Sequence, residues 1–66
     1  MDKITRAELA ALDGAPDATH AVFRNDGSLY FCASLVLPDE YMTHEEEYWR
    51  GIGMTMKKVI NQGETP

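Results

Sequence analysis

The first pair of residues able to do chemistry in this sequence is Cys32 with His20. Thr19–Arg24 and Ser28–Val36 read as the arms of a hairpin around Asn25-Asp26-Gly27. Flanking that turn with Arg24 and Ser28 pairs Phe23 with Leu29, Val22 with Tyr30 and Ala21 with Phe31, and sets His20 opposite Cys32. A reactive thiolate needs an electropositive, partly exposed setting. Arg24 is the one cation expected on that face, so Cys32 reads as a small strand residue, and no catalytic residue is assigned. His44-Glu45-Glu46-Glu47-Tyr48 begins like a zinc-protease helix but lacks a second histidine four residues on, so it reads as an acidic helix start.

Asp39, Glu40, Glu45, Glu46 and Glu47 place five carboxylates within nine residues with no base between them. Three readings compete: a solvated loop and helix start, an acidic docking patch for a basic partner, and a divalent-cation site. The spacing does not match the alternating ligands and central glycine of an EF-hand loop. Tyr48 and Trp49 follow directly. Neighbouring helix positions point about 100° apart, so the two rings cannot share one core. Trp49 fits the apolar stripe, and Tyr48 is left at an interface or at the edge of the core. Aromatic anchors are enriched at interfaces. Met42, Met54 and Met56 are adaptable surface or core fillers.

The elements that must position these groups begin with a capping box. In Thr5-Arg6-Ala7-Glu8 each end residue can cap the other, and Ile4 and Leu9 stand at the staple positions. The helix is expected over about 6–13, with Gly14 closing it and Pro16 preventing continuation. The hairpin over about 19–36 presents two faces by strand alternation. Ala21, Phe23, Leu29, Phe31, Ala33 and Leu35 make the expected core face. His20, Val22, Arg24, Tyr30, Cys32 and Ser34 make the other, of which His20, Val22, Tyr30 and Cys32 are candidates for self-association. Thr43-His44-Glu45-Glu46 matches a second capping box, and the series Trp49-Ile52-Met56-Val59 favours one helix over about 44–61. Gly51 and Gly53 support the alternative, a helix capped at Gly51 and a third strand in which Ile52, Met54 and Met56 alternate with polar positions. Residues 63–66 read as a frayed tail.

At 66 residues the chain is one domain near the lower size limit for independent folding. Small folds add disulfides, metals or oligomerisation. One cysteine excludes an intrachain disulfide, and Cys32, His20 and His44 fall short of a four-ligand zinc site. Self-association remains, because a lone hairpin is marginal in water. The formal charge of −5 argues against direct nucleic-acid binding and leaves room for a basic partner. The apolar runs are far too short to cross a membrane, and the absence of a targeting segment points to the cytoplasm.

The expectation is a small α+β domain of order α-β-β-α, an antiparallel hairpin with both helices on one face, forming a homodimer. The functional expectation is a non-enzymatic protein-binding module, a regulator or inhibitor of a larger complex, without cofactor or metal. Its partner face is Asp39, Glu40, Glu45, Glu46, Glu47 and Tyr48. In size and charge the chain is similar in general terms to accessory proteins of phages and mobile elements. The alternative is a binder of a nucleotide or metabolite, with a pocket at a dimer interface lined by His20, Tyr30 and Tyr48.

Overall fold

Strands and helices follow one another as β1 (Asp2–Thr5), α1 (Arg6–Ala11), β2 (His20–Phe23), β3 (Leu29–Ala33), α2 (Asp39–Gly51) and β4 (Thr55–Ile60) in the computed structural model, which describes residues 2–61. The chain is an α+β protein with a mixed four-stranded sheet in the order β1-β4-β2-β3. β1 runs parallel to β4, while β2 is antiparallel to both β4 and β3. The tail expected at 63–66 lies outside the described residues.

The capping box at Thr5 forms as the sequence implies. The Glu8 amide donates to Thr5 Oγ1 at 3.1 Å, and the Thr5 amide donates to Glu8 Oε1 at 3.0 Å. The helix stops at Ala11, short of the expected 13. Asp13, not Gly14, takes the left-handed conformation after it, with φ 59°. Gly14 serves a different purpose: a Cβ there would meet the Leu9 side chain at 2.5 Å.

The expected helix over 44–61 is two elements. α2 starts after Pro38, and Thr43 lies inside it, its hydroxyl donating to the Asp39 carbonyl at 3.1 Å, so the second capping box does not exist. The amides of Ile52 and Met54 donate to the Trp49 carbonyl and close the last turn. Gly53 then takes φ 85°, a conformation side chains resist, and β4 begins at Thr55. The alternative reading with a third strand is thus nearer the fold, though β4 starts later than Ile52. The helical spacing that argued for continuity was a coincidence of register. Trp49 is helical, whereas Met56 and Val59 lie three apart on a strand and face opposite sides.

β1 was not expected. It has one buried apolar residue, Ile4, which pairs with Val59. β4 lies between β1 and β2 and supplies much of the core that the hairpin lacked.

The hairpin turn closes as expected, with Gly27 at φ 90° and the Arg24 amide donating to the Ser28 carbonyl at 2.8 Å. Phe23 pairs with Leu29 as read from the sequence. Beyond it the register shifts by one: Val22 pairs with Phe31, Ala21 with Cys32 and His20 with Ala33. Tyr30 is the extra residue of a β-bulge. A one-residue slip exchanges faces. Cys32 therefore packs beside the core cluster of Ile4, Leu9, Ala18, Ala21, Phe23 and Val59, and Phe31 leaves it. That cluster holds Leu9 of α1. The Trp49 ring of α2 instead meets Phe31, on the Val22 face, at 5.1 Å between centroids. The helices thus cover opposite faces of the sheet rather than the same one.

Thr19 ties the strands together at the end of β2. Its amide donates to the Ala33 carbonyl at 3.0 Å, and its carbonyl accepts from the Val59 amide at 2.9 Å. Its hydroxyl accepts from the Leu35 amide at 2.7 Å and lies 2.8 Å from His20 Nδ1.

Candidate functional site

α2 shows how much of its surface it keeps from the sheet. Met42, Glu45, Glu46 and Trp49, at helical spacing, are half-buried, and none of its residues is fully buried. Tyr41, His44, Glu47 and Tyr48 are exposed. Trp49 is the helix's anchor, and a row of rings gathers on it. Its centroid lies 5.1 Å from Phe31, 6.2 Å from Tyr30 and 5.1 Å from Tyr48, and Tyr30 and Phe31 are 5.3 Å apart in edge-to-face contact.

The bulge explains the row. Successive strand residues ordinarily point to opposite faces, which would separate Tyr30 from Phe31. As the unpaired bulge residue, Tyr30 is released from that alternation, and both rings reach Trp49. Arg24 lies with its guanidinium 5.1 Å from the Tyr30 centroid and donates to the Leu29 carbonyl at 2.8 Å. Tyr30 is 46% and Tyr48 60% exposed, and the row runs from β3, an edge strand of the sheet, to α2. Large apolar side chains clustered in the open mark interaction surfaces more often than scattered ones do.

The five carboxylates are distributed rather than gathered. Asp39 and Glu40 occupy the first turn of α2, where the macrodipole favours them. Glu45 and Glu46 turn toward the sheet, and Glu46 accepts from Arg50 at 2.7 Å. Glu47 is exposed and next in sequence to Tyr48.

The Cys32–His20 pairing is overturned. Cys32 pairs with Ala21 on the α1 face, while His20 pairs with Ala33 and points to the α2 face. The four residues proposed for self-association are likewise divided. Val22 is buried, Cys32 lies at the core, His20 is buried near the start of α2, and Tyr30 alone is exposed. His20 is also apart from Tyr30 and Tyr48: it lines a cleft with Arg6, Thr19, Lys58 and the segment 35–37, and the two tyrosines belong to the ring row.

Burial holds the His20 imidazole below the ordinary histidine value, and the Lys58 charge lowers it further. The backbone and hydroxyl of Thr5 lower Glu8, and the hydroxyl and amide of Ser28 lower Asp26. Among the described residues no group of three His, Cys, Asp or Glu side chains is placed to hold a metal, and no helix is long and apolar enough to cross a membrane.

Phe31 and Trp49 are the members of the row that the sequence assigned to the core. Strand alternation separates Tyr30 from Phe31, so the sequence pattern carried no signal that both rings would meet Trp49. Comparison with known proteins adds no relative: no family model matches the chain, and no curated protein or solved structure matches it.

Proposed function

We propose that this chain is a non-enzymatic protein-binding module that docks a protein partner through Tyr30, Phe31, Trp49 and Tyr48 at the β3 edge. The observation that carries the reading is the ring row itself. In a chain this small, with Phe23 the one aromatic buried among the described residues, Tyr30, Phe31 and Tyr48 are left on an exposed surface around Trp49. Aromatic residues are the usual anchors of protein interfaces. Glu47 beside the row and the acidic surface of α2 favour a partner with basic groups around an apolar centre. Regulation or inhibition of a larger complex is the role we propose for such docking.

A second copy is the competing occupant. β3 carries no charged residue in Leu29–Ala33, so its free edge lacks the usual guard against strand pairing. Antiparallel pairing of two such edges would set two acidic α2 helices on the same side of one sheet, which weighs against it.

Affinity capture from the native host cell with the wild type, Tyr30→Ser and Tyr48→Ser tests the reading. The expected result is a partner retained by the wild type and lost by both variants. Identical captured proteins from all three would refute it. Light scattering on the pure protein separates the second-copy reading, which requires a dimer that both substitutions weaken.

A further inference from the structure

We propose that the cleft between the His20 end of the sheet and the start of α2 binds a small organic carboxylate with an apolar tail. The cleft has a volume of about 430 Å³ and is lined by Arg6, Lys58, His20, Leu35, Leu37 and Met42, among others. That is within the range of roughly 300–1,000 Å³ typical of ligand sites. It shares no residue with the ring row, so the proposal stands independently of the protein-binding reading.

The first argument is charge. The register aligns Lys3 of β1, Lys58 of β4 and His20 of β2 side by side across the sheet. Like charges on paired strand positions destabilise a sheet. Among the described residues neither lysine makes an ion pair, since Arg50–Glu46 is the salt bridge found there. Asp39 also lines the cleft, and no ion pair joins it to Lys58, so the lysine charge there is not neutralised by it. Arg6 adds positive charge, although its guanidinium is already held by the carbonyls of Pro16 and Ala18 at 2.6 and 3.3 Å.

The second argument is His20. The residue is 6% exposed, yet its ring has one nitrogen to spare. Nδ1 is 2.8 Å from the Thr19 hydroxyl, while Nε2 makes no hydrogen bond among the described residues. Among the described residues no sealed side-chain nitrogen or oxygen lacks a partner, so Nε2 keeps contact with solvent, and His20 lines the cleft. The Thr19–Nδ1 contact suits either tautomer; a bound carboxylate selects the one with the proton on Nε2, and the Thr19 hydroxyl then turns from the Ala33 and Leu35 carbonyls to Nδ1. Lys58 supplies the counter-charge.

The third argument is the opposite wall. Leu35, Val36 and Leu37 connect β3 to α2 outside any regular element, and Val36 is 93% exposed. With Met42 they form an apolar wall beside the cationic end. A ligand with a charged head and a hydrocarbon body matches both.

Sodium octanoate is the probe, with octanamide as its neutral counterpart, each titrated into the isotope-labelled protein and followed by amide and imidazole NMR shifts. Octanoate is expected to give saturable shifts at Thr19, His20, Leu35–Leu37 and Lys58, and to bind on the order of tenfold more tightly than octanamide, as a charge-assisted hydrogen bond implies. Lys58→Gln, at an exposed position, is expected to abolish that preference while leaving the spectrum of the fold intact. Equal binding of the two probes, absence of saturable shifts, or shifts confined to Tyr30 and Tyr48 would each overturn the proposal.

Discussion

Replacing Thr19 with valine removes a single hydroxyl and keeps the side chain's shape. That hydroxyl lies 2.8 Å from His20 Nδ1, accepts from the Leu35 amide at 2.7 Å, and lies 3.2 and 3.3 Å from the carbonyls of Ala33 and Leu35. Valine leaves the Leu35 amide and the imidazole nitrogen without this partner. A buried polar group left unsatisfied costs about 1–3 kcal/mol. Thr19 is half-buried, which puts each group at the low end of that range. The summed expectation is about 2 kcal/mol, or a fall in Tm of roughly 8–16 °C for a domain of this size. Thr19→Ser keeps the hydroxyl and loses a methyl group, at a cost under about 1 kcal/mol. Urea unfolding followed by circular dichroism measures both. The reasoning is refuted if Thr19→Val unfolds within about 0.5 kcal/mol of the wild type, or if Thr19→Ser costs as much as Thr19→Val. Either result would mean that the hydroxyl does not hold the 35–37 segment against β2.

Two further outcomes follow from the core and from the buried imidazole. Leu9, 1% exposed, is the buried side chain of α1, and Leu9→Ala is expected to cost about 2–5 kcal/mol out of a total of about 3–10. A loss below about 1 kcal/mol in urea would contradict its place in the core. His20 is held below its ordinary value by burial and by Lys58, with Thr19, Arg6 and Asp39 around it. The unfolded chain therefore takes up this proton first as pH falls, and the stability present above about 6.5 declines below it. A urea midpoint that is lower at pH 5.5 than at pH 7.5 in the wild type, and less pH-dependent in His20→Gln, is the expected result; a midpoint independent of pH over that window contradicts it. Glu8 and Asp26 are lowered carboxylates, so their contribution is lost only in more acid solution, below their ordinary values of 4.5 and 3.8.

Local chemistry was legible in the sequence, and longer-range pairing was not. The Thr5–Glu8 cap and the turn closed by Gly27 depend on neighbours a few residues apart, and both formed as read. β1 was invisible because Asp2-Lys3-Ile4-Thr5 carries one apolar residue, and its strand conformation is imposed by β4 more than fifty residues away. β4 was misread because Val59 and Met56 happen to continue the helical spacing of Trp49, whereas Gly53 carries the break. The bulge at Tyr30 cost more than its single residue. By slipping the register it exchanged the expected places of Cys32 and Phe31, removed the thiol from His20, and brought into the open the ring row that the sequence had divided between a core and a polar face. Of the candidate site, Tyr48 was left between an interface and the edge of the core, and it is exposed, as is Glu47.

β4 also governs when this sheet can exist. It is the last of the described strands to be synthesised, yet it lies between β1 and β2. While a ribosome is still making the segment 55–60, β1 has no strand to join, and the hairpin of β2 and β3 has one bare edge more than the finished sheet gives it. Such a chain gains little from folding piecemeal from its N-terminus, because its non-local pairings arrive together with its final strand. A nascent chain arrested before Thr55 is expected to remain open to proteases, and one that has fully exposed Ile60 to become resistant in a single step.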